Sequence, residues 1–515
     1  MQITSTLERA AQRQGERPGT VCGERTRSWR SVLERTRRVA GALREMGIAQ
    51  GERVAVLSLN NDRYVELLYA VPWAGGVIVP LNIRWSLAEN LVALQDADAT
   101  VLCVDDSFAD MAGPLADALP GLARTVYLGD AQLPDGMLSY EASAAQAEPV
   151  ADAHRRDDDL YAIFYTGGTT GRPKGVMLSH RNAYAVSVSW MACMPQTEPP
   201  THLHVGGLFH LSGAGYTWYT TMACGTNVML PKFETTSVMN AIERHRVTST
   251  MMMPTMVNML LADPAFAHHD LRSVRTCIYG GSPIPDALLA AAIEKLPTWG
   301  FVHSYGMTET SGMTLMLPAS FCVPGGDKLR SCGRASHMAE VIVAGPDGLA
   351  LPPGEIGEIL MRGQTVTTGY WRNPAGSAEA LRNGWIHSGD AAWMDAEGFF
   401  YIVDRLKDMI VSGGENVYSA EVENALSTHP GVLECAVIGT PDERWGERVT
   451  AIVVARAGHL LDERALIAHC RDLIANYKCP RAVMLTDALP KSAAGKINKV
   501  SLREPYWAGH ARRVN

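Results

Sequence analysis

The sequence predicts an α/β fold, with a large N-terminal part of parallel α/β subdomains and a β-rich subdomain, followed by a small C-terminal α+β domain. Three observations carry this. Short apolar strand runs alternate with stretches of helical period through the first three hundred residues, the mark of βαβ units. Near residue 340 the rhythm becomes one of short strands between Gly/Pro/Asp turns. After Asp404 it changes again, to helix, strand, strand, helix, strand. A chain of 515 residues also exceeds a single ordinary core, so more than one domain is required.

The elements follow in order. Trp29, Val32, Leu33, Val39, Ala40 and Leu43 recur at helical spacing, and Gly47 closes that helix. A buried-type strand is expected over 54–59, a helix over 64–74, a strand over 77–79, a helix over 87–94 and a strand over 100–104. Residues 110–157 are rich in Ala, Asp and Pro and are expected to form a surface excursion. The α/β rhythm returns over 225–300. Strands are expected at 340–343, 357–360 and 399–403, then a helix at 420–427, strands at 432–438 and 449–454, a helix at 463–475 and a strand at 482–485. About a hundred residues suffice for a separate domain. The boundary is therefore set at a hinge over 405–408, between domains 1–404 and 409–515.

Composition narrows the function classes. Lys and Arg total 46 against 54 Asp and Glu, a net charge of −8, which argues against nucleic acid or an anionic bilayer as the main partner. The ten cysteines are scattered without a CxxC pair, so they read as reduced thiols of a cytoplasmic protein rather than a zinc or disulfide framework. The longest apolar stretch, 67–81, is broken by Pro72 and two glycines and is too short to span a bilayer, so no transmembrane segment is expected.

The most informative stretch runs Tyr165-Thr166-Gly167-Gly168-Thr169-Thr170-Gly171-Arg172-Pro173-Lys174-Gly175. Glycines let backbone approach a ligand closely, threonine hydroxyls donate, and a lysine supplies charge, so the loop can cradle a polyphosphate. It is not a Walker loop: Lys174 follows Pro173 and precedes Gly175, where that motif has Gly before and Ser or Thr after. No Gly-x-Ser-x-Gly elbow of a serine hydrolase appears either.

This loop resembles the phosphate loop of the adenylate-forming superfamily, with Gly167 where a serine is usual. The resemblance continues in order through Tyr279-Gly280-Gly281-Ser282-Pro283, Ser304-Tyr305-Gly306-Met307-Thr308-Glu309, Ser388-Gly389-Asp390, Asp404-Arg405-Leu406-Lys407-Asp408, Ser412-Gly413-Gly414-Glu415-Asn416 and Pro490-Lys491 to Gly495-Lys496. It spans residues 25–505. The later signature looks most like bacterial fatty-acyl, cinnamoyl and benzoyl-type CoA ligases.

The resemblance implies an AMP-forming acid–thiol ligase using ATP, Mg²⁺ and coenzyme A. A carboxylate attacks the α-phosphate of ATP, pyrophosphate leaves, and a thiol then displaces AMP. By resemblance, Thr166 to Gly171 and Lys174 hold the phosphates, Thr308 hydrogen-bonds the α-phosphate and Glu309 ligates Mg²⁺. Tyr305 stacks on adenine with Gly280, Gly281, Ser282, Ser304, Gly306 and Met307 around it, while Asp390 and Arg405 hold the ribose. Lys496 bridges carboxylate and α-phosphate. Lys407 is the hinge on which a mobile C-terminal lid turns. Gly413 and Gly414 line the pantetheine tunnel, and Trp445, Tyr477 and Arg481 meet coenzyme A, although Cys479 stands where a basic residue is frequent.

His210 resembles the histidine that gates the carboxylate site. The acyl pocket would draw on Ser212, Tyr216, Met253, Ile278, Gly281, Gly306, Met307 and Met313, an apolar lining that suits an aryl ring or a medium-to-long alkyl chain. The sequence does not choose between them. Two alternatives stand beside this reading: an adenylating enzyme that loads a carrier protein, and a non-catalytic nucleotide binder on the same scaffold. Partners are the small acid, ATP and coenzyme A, and a homodimer is compatible with the chain.

Overall fold

The computed structural model describes residues 1–166, 173–194, 196–282, 284–413, 415–491 and 497–508. The chain divides into two compact units, Met1–Val341 with Met361–Ile386, and Ile342–Leu360 with His387–Asn515.

The first unit holds two sheets. A seven-stranded sheet runs in the order Leu138–Ser139, Arg124–Tyr127, Ala99–Val104, Arg53–Leu57, Val77–Pro80, Leu160–Thr166, Lys174–Ser179. Its strands are parallel except for the last pair, which is antiparallel. A nine-stranded sheet has a parallel centre, Gly300–Tyr305, Thr276–Gly280, Ser249–Met252, Thr201–His204, Thr226–Met229 and Pro18–Cys22, with antiparallel strands added outside.

Helix Asp62–Ala74 shows why such elements form here. The Asn61 side chain accepts the Tyr64 N–H at the N-terminus, and Gly75 at φ 103° closes the C-terminus in a conformation that suits glycine. Every residue of this helix is buried. Its Tyr64, Tyr69 and Trp73 fill the core together with Trp29, Tyr161 and Trp218. The polar tips are satisfied: the Trp218 indole donates to Tyr161 Oη at 2.9 Å, which donates to the Leu68 carbonyl at 3.1 Å.

One expectation is overturned. Residues 110–157 are no surface excursion: Arg124–Tyr127 pairs in parallel with Ala99–Val104, and Val126, Tyr127 and Leu128 are buried. The helix between them, Ala109–Ala118, contains Pro114, which masked its periodicity. Among the described residues no helix is long and apolar enough to cross a membrane.

The second unit contains strands of a four-stranded sheet and a five-stranded sheet. In the latter, Gly446–Ala455 pairs antiparallel with Val432–Asp442 and parallel with Ala482–Leu485. Helices Ser419–Ser427 and Glu463–Leu473 add Val422, Leu426, Leu466 and Cys470 to a core with Ile410, Val437, Val449 and Val453. A third helix, Lys499–Trp507, was not foreseen. The 405–408 segment lies inside this unit, with Leu406–Asp408 forming a 3-10 turn. Among the described residues no two cysteines form a disulfide.

Candidate active site

In the first unit, three parallel strands end side by side, in register at Met252↔Tyr279, Tyr279↔His303 and Gly280↔Ser304. The carboxyl ends of such strands are where open α/β sheets hold ligands. The glycines there are demanded by packing. A Cβ on Gly280 would lie 2.2 Å from the Ser304 carbonyl oxygen, and one on Gly306 would lie 2.6 Å from that of Gly312. Gly281 adopts φ +77° and faces Met253, with Ser282 half-buried beside it.

Beyond Tyr305, Gly306 and Met307, the 3-10 turn Thr308–Thr310 carries Glu309. Thr310 Oγ1 closes the turn by accepting the Met307 N–H at 3.1 Å. Glu309 is 7% exposed, and its main-chain carbonyl accepts the Thr367 N–H at 2.7 Å. Its Oε1 accepts the Tyr370 hydroxyl at 2.9 Å, while its Oε2 takes no hydrogen bond among the described residues. Burial and the adjacent carboxylate push the Tyr370 phenol well above the usual tyrosine range, so it stays a donor. The Lys174 ammonium sits 5.2 Å over the same ring.

Sequence reasoning missed Tyr370. It lies in Gly369-Tyr370-Trp371, which nothing local links to a glutamate 61 residues earlier. The link is made by strand Lys174–Ser179. Val176 bridges Tyr370, Met177 N–H donates to the Gly369 carbonyl at 3.0 Å, and Trp371 N–H donates to that of Gly175 at 2.7 Å. Thr166 pairs with Lys174 across the last rung of the neighbouring strand.

His210 stands at the N-terminus of helix Leu211–Met222, its carbonyl accepting the Gly213 and Ala214 N–H groups. Asn60, also missed, pins the preceding loop by donating to the Gly206 carbonyl at 3.0 Å and accepting the Leu208 N–H at 2.8 Å. Ser212 is half-buried in the first turn of that helix. Among the expected acyl residues, Tyr216, Ile278 and Met313 are buried within the main core, and Met253 packs partly buried against it. Tyr216 stacks on His202 with ring centroids 5.2 Å apart at 8°, and the Trp190 ring lies 4.8 Å from that of Tyr216 at a 48° tilt. Burial keeps His202 and His204 neutral, the latter at a pKa of about 4.

In the second unit Arg405 Nε meets Asp390 Oδ1 at 2.6 Å, directly across the pairing of Ile386–Met394 with Phe400–Arg405. Asp404 is buried and caps helix Ser419–Ser427, accepting the Ser419 hydroxyl at 2.7 Å. Burial draws the Lys407 ammonium below the usual lysine range. The Lys407 carbonyl accepts an Arg503 N–H at 2.9 Å, and Arg503 also pairs with Asp408. Gly413, at φ +64°, lies against Trp445, where a Cβ would come within 2.7 Å of the indole. Arg481 covers that indole at 4.2 Å and Arg444 at 4.8 Å. Tyr477 is exposed. Cys479 is 2% exposed and belongs to the unit's core. Gly167, Gly168, Thr169, Thr170, Gly171, Gly414 and Lys496 lie outside the described residues.

Residues 7–371 match the family described as AMP-binding enzyme, and residues 421–496 match the AMP-binding enzyme C-terminal domain. A feruloyl-CoA synthase of Amycolatopsis sp is 40% identical over 480 residues, covering 93% of this chain and 94% of its own. The long-chain-fatty-acid–CoA ligase FadD13 of Mycobacterium tuberculosis is 36% identical, over 92% of this chain and 91% of its own. The crystal structure of the anthranilate CoA ligase AuaEII in complex with anthranoyl-AMP superposes with a TM-score of 0.90 at 27% identity, covering 98% of this chain and 97% of that one.

Proposed function

The chain belongs to the AMP-binding enzyme family and is an AMP-forming acid–CoA ligase, and on that premise we propose that its acid is aromatic, of the cinnamate and ferulate type. The observation that carries this reading is the aromatic setting of Tyr216, a residue expected at the acyl pocket, which stacks on His202 and has Trp190 tilted against it. An aromatic wall favours another flat ring over a flexible chain. The similarity to a feruloyl-CoA synthase supports the same choice.

The proposed division of labour assigns adenylation to residues 1–404. Lys174 and the loop from Thr166 to Gly171 would hold the phosphates, Thr308 would donate to the α-phosphate, and His210 would stand at the carboxylate. Tyr305 would stack on adenine, and the paired Asp390 and Arg405 would satisfy the ribose diol. Glu309 would hold Mg²⁺. A single carboxylate with one oxygen tied and the other open fits an ion that keeps water and phosphate oxygens as its remaining ligands. When bound, the ion would neutralise charge developing on the phosphates.

Lys496 would bring a positive charge to the attacking carboxylate and α-phosphate, and residues 409–515 would turn about Lys407 between the two half-reactions. Gly413 and Gly414 would then leave width for the pantetheine thiol, with Trp445, Tyr477 and Arg481 against the nucleotide of coenzyme A. A reducing, cytoplasmic setting suits ten scattered cysteines that form no disulfide among the described residues, and a homodimer remains part of the proposal.

The test is kcat/KM for ferulate, cinnamate and benzoate against C4 to C16 fatty acids, read as acyl-CoA formed. The reading expects an aryl acid to lead by at least about tenfold, the discrimination a shaped pocket supplies. A fatty acid in first place would overturn it.

A further inference from the structure

Tyr370 is held more tightly than a core tyrosine requires. Gly369 adopts φ +137°, and a Cβ there would strike Ser377 Oγ at 2.8 Å. The Ser377 hydroxyl oxygen accepts the Tyr370 N–H at 2.8 Å. Thr367 Oγ1 donates to the Met177 carbonyl at 2.5 Å, and the Ser311 hydroxyl donates to that of Thr365 at 2.7 Å. The segment 365–371 is thus sewn to strand Lys174–Ser179 on one side and to the turn bearing Glu309 on the other. The phenol ends on Glu309 Oε1, with the Lys174 ammonium over its ring.

We propose that Tyr370 is the positioning residue that fixes the Glu309 carboxylate, occupying Oε1 so that Oε2 is presented to the divalent ion. The inference rests on the assignment of Glu309 as the Mg²⁺ ligand made above. A hydroxyl aimed at one oxygen removes the carboxylate's rotational freedom before the ion arrives. Outer-shell partners of this kind orient metal ligands and tune their affinity. The same ring ties Lys174, at the exit of the phosphate loop, to the metal carboxylate, so the two charges that flank the triphosphate share one support.

The experiment uses the full chain with a non-hydrolysable ATP analogue, Mn²⁺ as the probe, and electron paramagnetic resonance to count free Mn²⁺. Tyr370→Phe keeps the ring under Lys174 and removes the hydroxyl alone. It should weaken Mn²⁺ binding about tenfold. Acid-dependent pyrophosphate release should fall by a similar factor and recover as Mg²⁺ is raised, while thiolysis of supplied acyl-adenylate stays at the wild-type rate. Glu309→Asp keeps the charge and withdraws it from the hydroxyl, and it should show the same loss. Adding Tyr370→Phe to Glu309→Gln should cost nothing further. Wild-type Mn²⁺ affinity in Tyr370→Phe or in Glu309→Asp, with Glu309→Gln impaired, would overturn the inference. So would losses that multiply in the double variant. Wild-type affinity in Glu309→Gln would instead overturn the metal assignment itself.

Discussion

Glu309 in the first unit is 7% exposed and is tied through both its main chain and its side chain, whereas the Arg405 side chain in the second unit is 48% exposed. The same contrast runs through both units. In the first, the groups assigned to phosphate chemistry sit at strand ends and are braced by hydrogen bonds from distant segments. In the second, Arg405 is the last residue of its strand, Lys407 lies on a single 3-10 turn, and Tyr477 is exposed. Of the buried side chains there, Arg503 holds the turn through the Lys407 carbonyl, and Asp404 ties the strand before it to helix Ser419–Ser427. Groups that stabilise developing charge gain most from being fixed in advance. Groups that must arrive and withdraw need a firm mounting and an open face.

The contrast can be broken most directly through the second unit. Lys496→Ala should reduce acid-dependent pyrophosphate release by about a thousandfold, the upper range for removing one charge-stabilising donor. Thiolysis of supplied acyl-adenylate should be spared, and pyrophosphate release left intact would remove Lys496 from the mechanism. Arg503→Ala should cost about 3 kcal/mol of stability, because it strands Asp408 without its partner in a largely buried pair. Denaturant unfolding followed by Trp445 fluorescence reads this loss in the second unit. At the fixed end, Glu309→Gln should cost about a hundredfold in pyrophosphate release and should respond to added Mg²⁺.

Acid should separate the units as well. Burial holds His180 and His204 of the first unit at about 4, down from the usual 6.5. The unfolded chain protonates these histidines below 6.5 while the folded chain keeps them neutral. Their contribution is therefore present above that pH and lost as pH falls toward 4, at about 1.4 kcal/mol per pH unit for each histidine. Urea midpoints measured from pH 7 to 4 should fall first for the first unit, and His204→Asn should flatten the slope. Smallest is Gly413→Ala, which costs about 1–2 kcal/mol for a left-handed backbone. Pressure on Trp445 should add to it, seen as a raised KM for coenzyme A.

Much of this was legible in the sequence. The α/β rhythm was readable because strands buried on both faces are continuous apolar runs, as in Arg53–Leu57 and Val77–Pro80. The stretch over 110–157 was not, because Pro114 interrupts its helix and its alternation is short. The motifs single out Lys174, Thr308, Glu309, Asp390 and Arg405 as candidates, because those residue types carry their chemistry on their face. Tyr370 and Asn60 carry none: each acts through a partner far along the chain, and only the folded register supplies that partner. Helix Lys499–Trp507 escaped notice because its contact with the turn at Leu406–Asp408 depends on one arginine in a polar stretch. Cys479 looked like a departure at the coenzyme A surface, and its position in the core leaves Arg481 to meet the indole of Trp445.

The most direct test of the central claim quantifies AMP, ADP and acyl-CoA together in one reaction with ATP, Mg²⁺, coenzyme A and ferulate. The account predicts AMP and feruloyl-CoA in equal amounts, both dependent on the acid, with no ADP. Acid-dependent AMP without a thioester, or ADP in place of AMP, would contradict it.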